Sequence, residues 1–141
     1  TIQRRYVALV WGNFDQDEGT ITGNIGRSPR DRQKMFVFED GSDGKHAVTH
    51  WRGLKRYGYV TLVECRLETG RTHQIRVHMA YLGHPILGDT VYGAKKAVPG
   101  LTGQCLHAVG LQFIHPRTKE LVSLTCPLPE EFTAMLRKID R

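Results

Sequence analysis

The chain has 141 residues, 40% of them hydrophobic and 24% charged, enough for one hydrophobic core and hence a single domain or part of one. A formal net charge of +6 and a sequence pI near 9.5 favour a polyanionic partner, because Lys and Arg neutralising phosphates supply most sequence-independent affinity for nucleic acid. No apolar run approaches the roughly 20 residues that span a bilayer and no signal-peptide pattern stands at the start, so no membrane partner is expected.

In chain order, Tyr6 to Trp11 (YVALVW) is a continuous apolar run of strand length, bounded by Arg4-Arg5 and Gly12-Asn13, and reads as a central strand covered on both faces. Gly19 to Ile25 (GTITGNI) reads as a second strand, and Arg27 to Lys34 (RSPRDRQK) as a basic loop. Met35 to Phe38 reads as a short strand and Asp40 to Gly44 (DGSDG) as a turn. Lys45 to Trp51 is another strand, and Tyr57 to Leu67 (YGYVTLVECRL) is expected to be the longest. The period then changes: Ile75, Met79 and Leu82 fall at helical spacing within Thr72 to Leu82, with Gly83 as the C-terminal cap. Leu106 to Ile114 returns to strand, His115 to Glu120 reads as a turn, and Leu121 to Cys126 as its hairpin partner. A final helix follows Pro127 and Pro129, burying Phe132, Met135, Leu136 and Ile139.

Strands dominate and two helices accompany them. This predicts an α+β fold with a mixed, largely antiparallel sheet and a few flanking helices. Cys65, Cys105 and Cys126 are too scattered for a CxxC metal knuckle, and an odd number argues against a complete disulfide framework. Buried thiols in a reducing cytosol are the expectation, and so a cytoplasmic protein. The chain opens on Thr1 and reads as a piece of something longer. If strands are missing, Tyr6 to Trp11 is expected to present an open edge that favours self-association.

The helical stretch concentrates the chemistry. Residues three or four apart share a face, which puts His73, Arg76, Val77 and Ala80 on one side and Ile75, Met79 and Leu82 on the core side. Arg76 then projects from a rigid element beside a small residue, well placed for bidentate pairing with a carboxylate or phosphate. His73 and His78 stand at i and i+5, on different faces and with no glutamate between them, so a zinc site is not expected; no metal is assigned.

Glu68 to Gly93 reads ETGRTHQIRVHMAYLGHPILGDTVYG. This block, with RRYVALVWG, IGRSPRDRQKM, GKHAVTHW, LHAVGLQFIHP and CPLPEEF in order around it, resembles the signature of the RluA family of RNA pseudouridine synthases along essentially the whole chain. The resemblance implies isomerisation of uridine to pseudouridine in rRNA or tRNA, with no cofactor. In such enzymes an aspartate helps break the N-glycosidic bond, the uracil rotates, and carbon 5 rejoins the ribose. The target base is flipped into a pocket.

Carried over motif by motif, the arginine that pairs with the catalytic aspartate falls on Arg76. The active-site tyrosine, which stacks on the flipped base, falls on Tyr6. Arg71, His73, Arg27, Arg30, Arg32 and Lys34 are expected at the RNA. Asp89, the acid inside the signature, is expected to make local backbone hydrogen bonds. The family's aspartate lies in an HRLDxxTSG motif, and no HRLD occurs in these 141 residues. The expectation is therefore the C-terminal portion of a single catalytic domain, without its catalytic-aspartate segment or any N-terminal RNA-binding domain, and inactive alone. The alternative is a non-catalytic RNA-binding module derived from such an enzyme.

Overall fold

The apolar run near the start of the chain becomes the middle of the molecule. The computed structural model of the protein describes residues 3–93, 98, 101, 103–114, 121–125 and 130–139. In chain order the elements are β1 (Gln3–Trp11), β2 (Glu18–Thr22), β3 (Asn24–Arg27), β4 (Met35–Phe38), β5 (Val48–Arg56), β6 (Val60–Leu67), α1 (Gln74–Tyr81), β7 (Leu106–Ile114), β8 (Leu121–Thr125) and α2 (Glu130–Ile139). A six-stranded sheet runs β2-β5-β6-β1-β7-β8, and β3 and β4 form a separate two-stranded hairpin. All of these ladders are antiparallel, within the α+β class expected from the sequence.

β1 lies between β6 and β7, and Val7, Ala8, Leu9 and Val10 are all buried, which fits a run apolar on both faces. The expectation that Tyr6 to Trp11 presents an open edge is thus overturned: both sides of β1 are hydrogen-bonded, and the edges of the sheet are β2 and β8. In β6 the side chains alternate, with Thr61, Val63, Cys65 and Leu67 buried while Glu64 and Arg66 stand on the more open face. At eight residues β6 is shorter than β1, β5 and β7 at nine each, so it is not the longest strand.

Two further expectations are corrected. Gly19 to Ile25 is not one strand: the chain leaves the large sheet after Thr22 and enters the hairpin at Asn24. Gly23 is buried at the crossing, where a Cβ would sit 2.9 Å from Val37 Cγ1, so only glycine lets the two sheets approach so closely. The strand expected over Lys45 to Trp51 begins later and runs on through Arg56. The expected turn His115 to Glu120, together with Cys126, Pro127 and Pro129, lies outside the described residues.

α1 is wedged between two apolar clusters. Ile75 and Met79 join the main core with β1, β5 and β6, while Val77 joins Ile25, Val37 and Ala47 under the hairpin. Val77 is therefore buried rather than on a polar face, and Leu82, expected in the core, is 38% exposed. The helix stops too early to bury Leu82: Gly83 (φ 86°) donates to Ala80 O at 3.0 Å and His84 to Met79 O at 2.9 Å, a Schellman stop. Phe132 and Met135 of α2 seal the main core, and among the described residues no helix is long and apolar enough to cross a membrane.

Candidate active site

α1 is fixed to the sheet by buried polar groups. Gln74 Nε2 donates to Val48 O and to Thr49 Oγ1 (both 2.9 Å). Thr49 in turn lies 2.8 Å from His78 Nδ1, and His78 Nε2 lies 3.3 Å from Gly23 O. One set of protons satisfies the whole chain: Thr49 O–H donates to Nδ1, and Nε2–H donates to the carbonyl. Burial pushes the His78 imidazole below its ordinary value, only partly offset by the Gly23 carbonyl, so it stays neutral. The side-chain oxygen of Gln74 accepts from Thr69 Oγ1 (2.7 Å) and the Arg71 amide (3.0 Å), which satisfies the turn leading into the helix.

The residue before the helix is strained. His73 has φ 57° and ψ 24°, a left-handed conformation that costs a non-glycine residue about 1–3 kcal/mol. The helix consequently begins at Gln74 rather than Thr72. His73 Nδ1 lies 2.8 Å from the Tyr92 hydroxyl, and the two rings meet edge-on with centroids 5.6 Å apart. Burial, reinforced by the Arg76 charge, pushes the His73 imidazole down.

Arg76 pairs with Asp89. Nε lies 2.8 Å from Oδ2 and Nη2 3.1 Å from Oδ1, with the Asp89 side chain fully buried and that of Arg76 13% exposed. Asp89 also accepts the Val91 and Tyr92 amides, both at 3.1 Å, so its expected local backbone bonds are present beside the ion pair. Burial raises the Asp89 carboxyl, but Arg76 and the two amides outweigh it and hold it below the usual carboxylate range. The hydrogen bond to Asp89 pushes Arg76 up against its own partial burial. Side-on pairing uses two of the five guanidinium N–H groups and leaves three for another acceptor.

A cleft of about 330 Å³ opens over this arrangement, within the ~300–1,000 Å³ of typical small-molecule sites. Tyr6 reaches it from β1, and Arg71, His73 and Arg76 from the turn and the helix. Tyr6 stands where the β1–β7 register shifts, opposite a bulge in β7 whose extra residue is Val109. Arg71 is braced by its Nε, 2.7 Å from His46 O. Arg27, Arg30, Arg32 and Lys34 do not line the cleft; they ride on the β3–β4 hairpin beside it, with Arg27 Nη1 bonded to Arg32 O at 2.9 Å.

Sequence reasoning missed Arg4, which lines the cleft. The signal was available, since in a strand Arg4 must share a face with Tyr6. Gly70 makes room for it: a Cβ there would come 3.1 Å from Arg4 Nη1. Asp89 and Tyr92 as partners of Arg76 were also missed, and no local period connects residues across that loop.

Residues 1–81, from β1 through α1, match the RNA pseudouridylate synthase family. The chain belongs to that family. It is 50% identical over 139 residues to the uncharacterized RNA pseudouridine synthase YlyB of Bacillus subtilis (strain 168), covering 99% of this chain and 45% of that protein. It is 42% identical over 146 residues to ribosomal large subunit pseudouridine synthase D of Nitrosomonas europaea, covering 99% of this chain and 41% of that protein. The chain thus spans less than half the length of these curated relatives. The fold is similar to solved human RNA pseudouridylate synthase domain containing 4 (TM-score 0.78, 26% identity), covering 98% of this chain and 62% of that one. Human RNA pseudouridylate synthase domain containing 1 gives a TM-score of 0.73 at 27% identity, covering 98% and 65%.

Proposed function

We propose that these residues form the C-terminal portion of a catalytic domain that isomerises uridine to pseudouridine in rRNA or tRNA. The observation that carries the reading is the convergence of Tyr6 and Arg76 on one cleft, with Arg4, Arg71 and His73 around it. A flipped uracil stacks on Tyr6, whose hydroxyl assists removal of the proton from carbon 5. Arg76 offers its three remaining N–H groups to the carboxylate that breaks the glycosidic bond, keeping it ionised. That carboxylate is assigned outside these 141 residues, in the HRLD segment that the sequence lacks. Asp89 is assigned the second shift of work: it holds Arg76 in place while the other acid reacts. Arg71, Arg27, Arg30, Arg32 and Lys34 bind phosphates flanking the target. The reaction balances as an isomerisation, with no redox change and no co-reactant.

The test is to incubate the full protein, and separately the 141-residue chain, with rRNA and tRNA and to map pseudouridine. Pseudouridine is expected from the full protein alone. Its formation by the isolated chain overturns the placement of the carboxylate. RNA binding without pseudouridine from the full protein overturns the enzyme reading in favour of a non-catalytic RNA-binding module.

A further inference from the structure

Tyr92 touches three parts of the molecule at once. Its ring lies under the Arg76 guanidinium, with the central carbon 5.1 Å from the ring centroid. Its hydroxyl accepts the Met35 amide at the start of β4 (2.8 Å) and lies 2.8 Å from His73 Nδ1. The phenol oxygen accepts from the Met35 amide and keeps its own proton, which it can donate to Nδ1. When it does, His73 is a neutral ring with its hydrogen on Nε2. Tyr92 is itself held by Asp89, whose Oδ1 accepts its amide at 3.1 Å.

His73 benefits from such a hold, because the left-handed backbone it adopts (φ 57°) is uncommon for a residue other than glycine. So does Arg76. Asp89 fixes one edge of its guanidinium, but a hinge about that edge remains until a surface sets the plane. The face of an aromatic ring does this while attracting the cation. Both cleft groups are therefore set by one side chain, and the same hydroxyl anchors the hairpin that carries the basic 27–34 loop.

We propose that Tyr92 is a positioning residue with two separable functions: its ring aligns Arg76, and its hydroxyl holds His73 so that Nε2–H is a fixed donor to an acceptor oxygen of the RNA. The proposal deepens the reading of the cleft as an RNA site and rests on it. The hydroxyl acts on substrate binding and the ring on the chemical step, so removing them one at a time separates the effects.

The experiment uses the full protein and Tyr92→Phe and Tyr92→Leu variants, with steady-state kinetics on an RNA it modifies and ¹⁵N NMR of the histidine rings. In wild type, His73 is expected as the Nε2–H tautomer with Nδ1 accepting; in Tyr92→Phe that signature is lost. Tyr92→Phe is expected to raise KM for RNA about fivefold, the loss of one net hydrogen bond, with kcat falling less than twofold. Tyr92→Leu is expected to lower kcat about fivefold further, as Arg76 loses its ring. The proposal is overturned if Tyr92→Phe leaves KM and the His73 spectrum unchanged, or if it lowers kcat as much as Tyr92→Leu. Should Tyr92→Leu fail to fold, the Tyr92→Phe arm decides. Should wild type form no pseudouridine, the function reading fails, and the His73 spectra alone decide whether Tyr92 holds that ring.

Discussion

Replacing Asp89 with asparagine removes a negative charge from a fully buried site while keeping the shape. Oδ1 still accepts the Val91 and Tyr92 amides, but an NH2 group now stands where Oδ2 met Arg76 Nε at 2.8 Å, donor against donor. Breaking a buried ion pair costs about 3–5 kcal/mol, because the surviving charge is left without a partner. Arg76 keeps 13% exposure and the face of Tyr92, so the lower end applies, about 3 kcal/mol. With a urea m-value of about 2 kcal/mol/M, the unfolding midpoint falls by about 1.5 M. Adding Arg76→Gln removes the stranded cation, so the double variant should be less destabilised than the sum of the singles by about 2 kcal/mol. The folded Asp89 carboxyl lies below its ordinary 3.8, so its contribution is present above that pH and is lost as pH falls through the folded value. The gap between wild type and Asp89→Asn should therefore be flat near neutrality and close in acid. A midpoint shift below about 0.5 M, or strict additivity with Arg76→Gln, would mean that Asp89 and Arg76 are not energetically coupled.

Gly88→Ala should lower the melting temperature by about 8 °C, since φ is +80° and a Cβ would sit 2.2 Å from Gly103 O; a scanning-calorimetry shift under about 2 °C contradicts this. His78 is neutral in the folded state with its value pushed down, so stability should fall as pH drops below 6.5, where the unfolded chain binds the proton first. Urea midpoints measured between pH 7 and pH 5 should show that slope, and His78→Gln should flatten it. The Cys65 thiol is fully buried and pushed up to about 12 by desolvation and by Glu64, so at pH 8 iodoacetamide should label it only after unfolding, as peptide mass mapping reads.

The parts of the fold legible in the sequence are those set by local period. Val7 to Val10 announced a strand covered on both faces, and the alternation of Thr61, Val63, Cys65 and Leu67 announced a half-buried one. Gly83 marked the helix end where the Schellman bonds form. What escaped was non-local. Gly23 reads as an ordinary strand glycine until Val37 is packed against it. Gln74 and His78 look like surface residues until Thr49, more than twenty positions upstream, completes their hydrogen bonds and lets them be buried. The cleft was legible as a set of names, Tyr6, Arg71, His73 and Arg76, but its wiring was not. Asp89 reaches Arg76 and Tyr92 reaches His73 only because the 84–93 loop folds back over the helix.

If Arg76 holds the carboxylate that attacks the target uridine, as proposed, rather than only bracing a loop through Asp89, its loss must slow the chemical step. The direct measurement is single-turnover release of tritium from carbon 5 of labelled uridine in RNA, by the full protein and its Arg76→Gln variant, beside RNA affinity and unfolding midpoint. A loss in rate of about a hundred- to a thousandfold is expected, as when one preorganised donor is removed from an active site, with RNA affinity changed less than tenfold. A rate within tenfold of wild type, in a variant that still binds RNA and is folded, contradicts it.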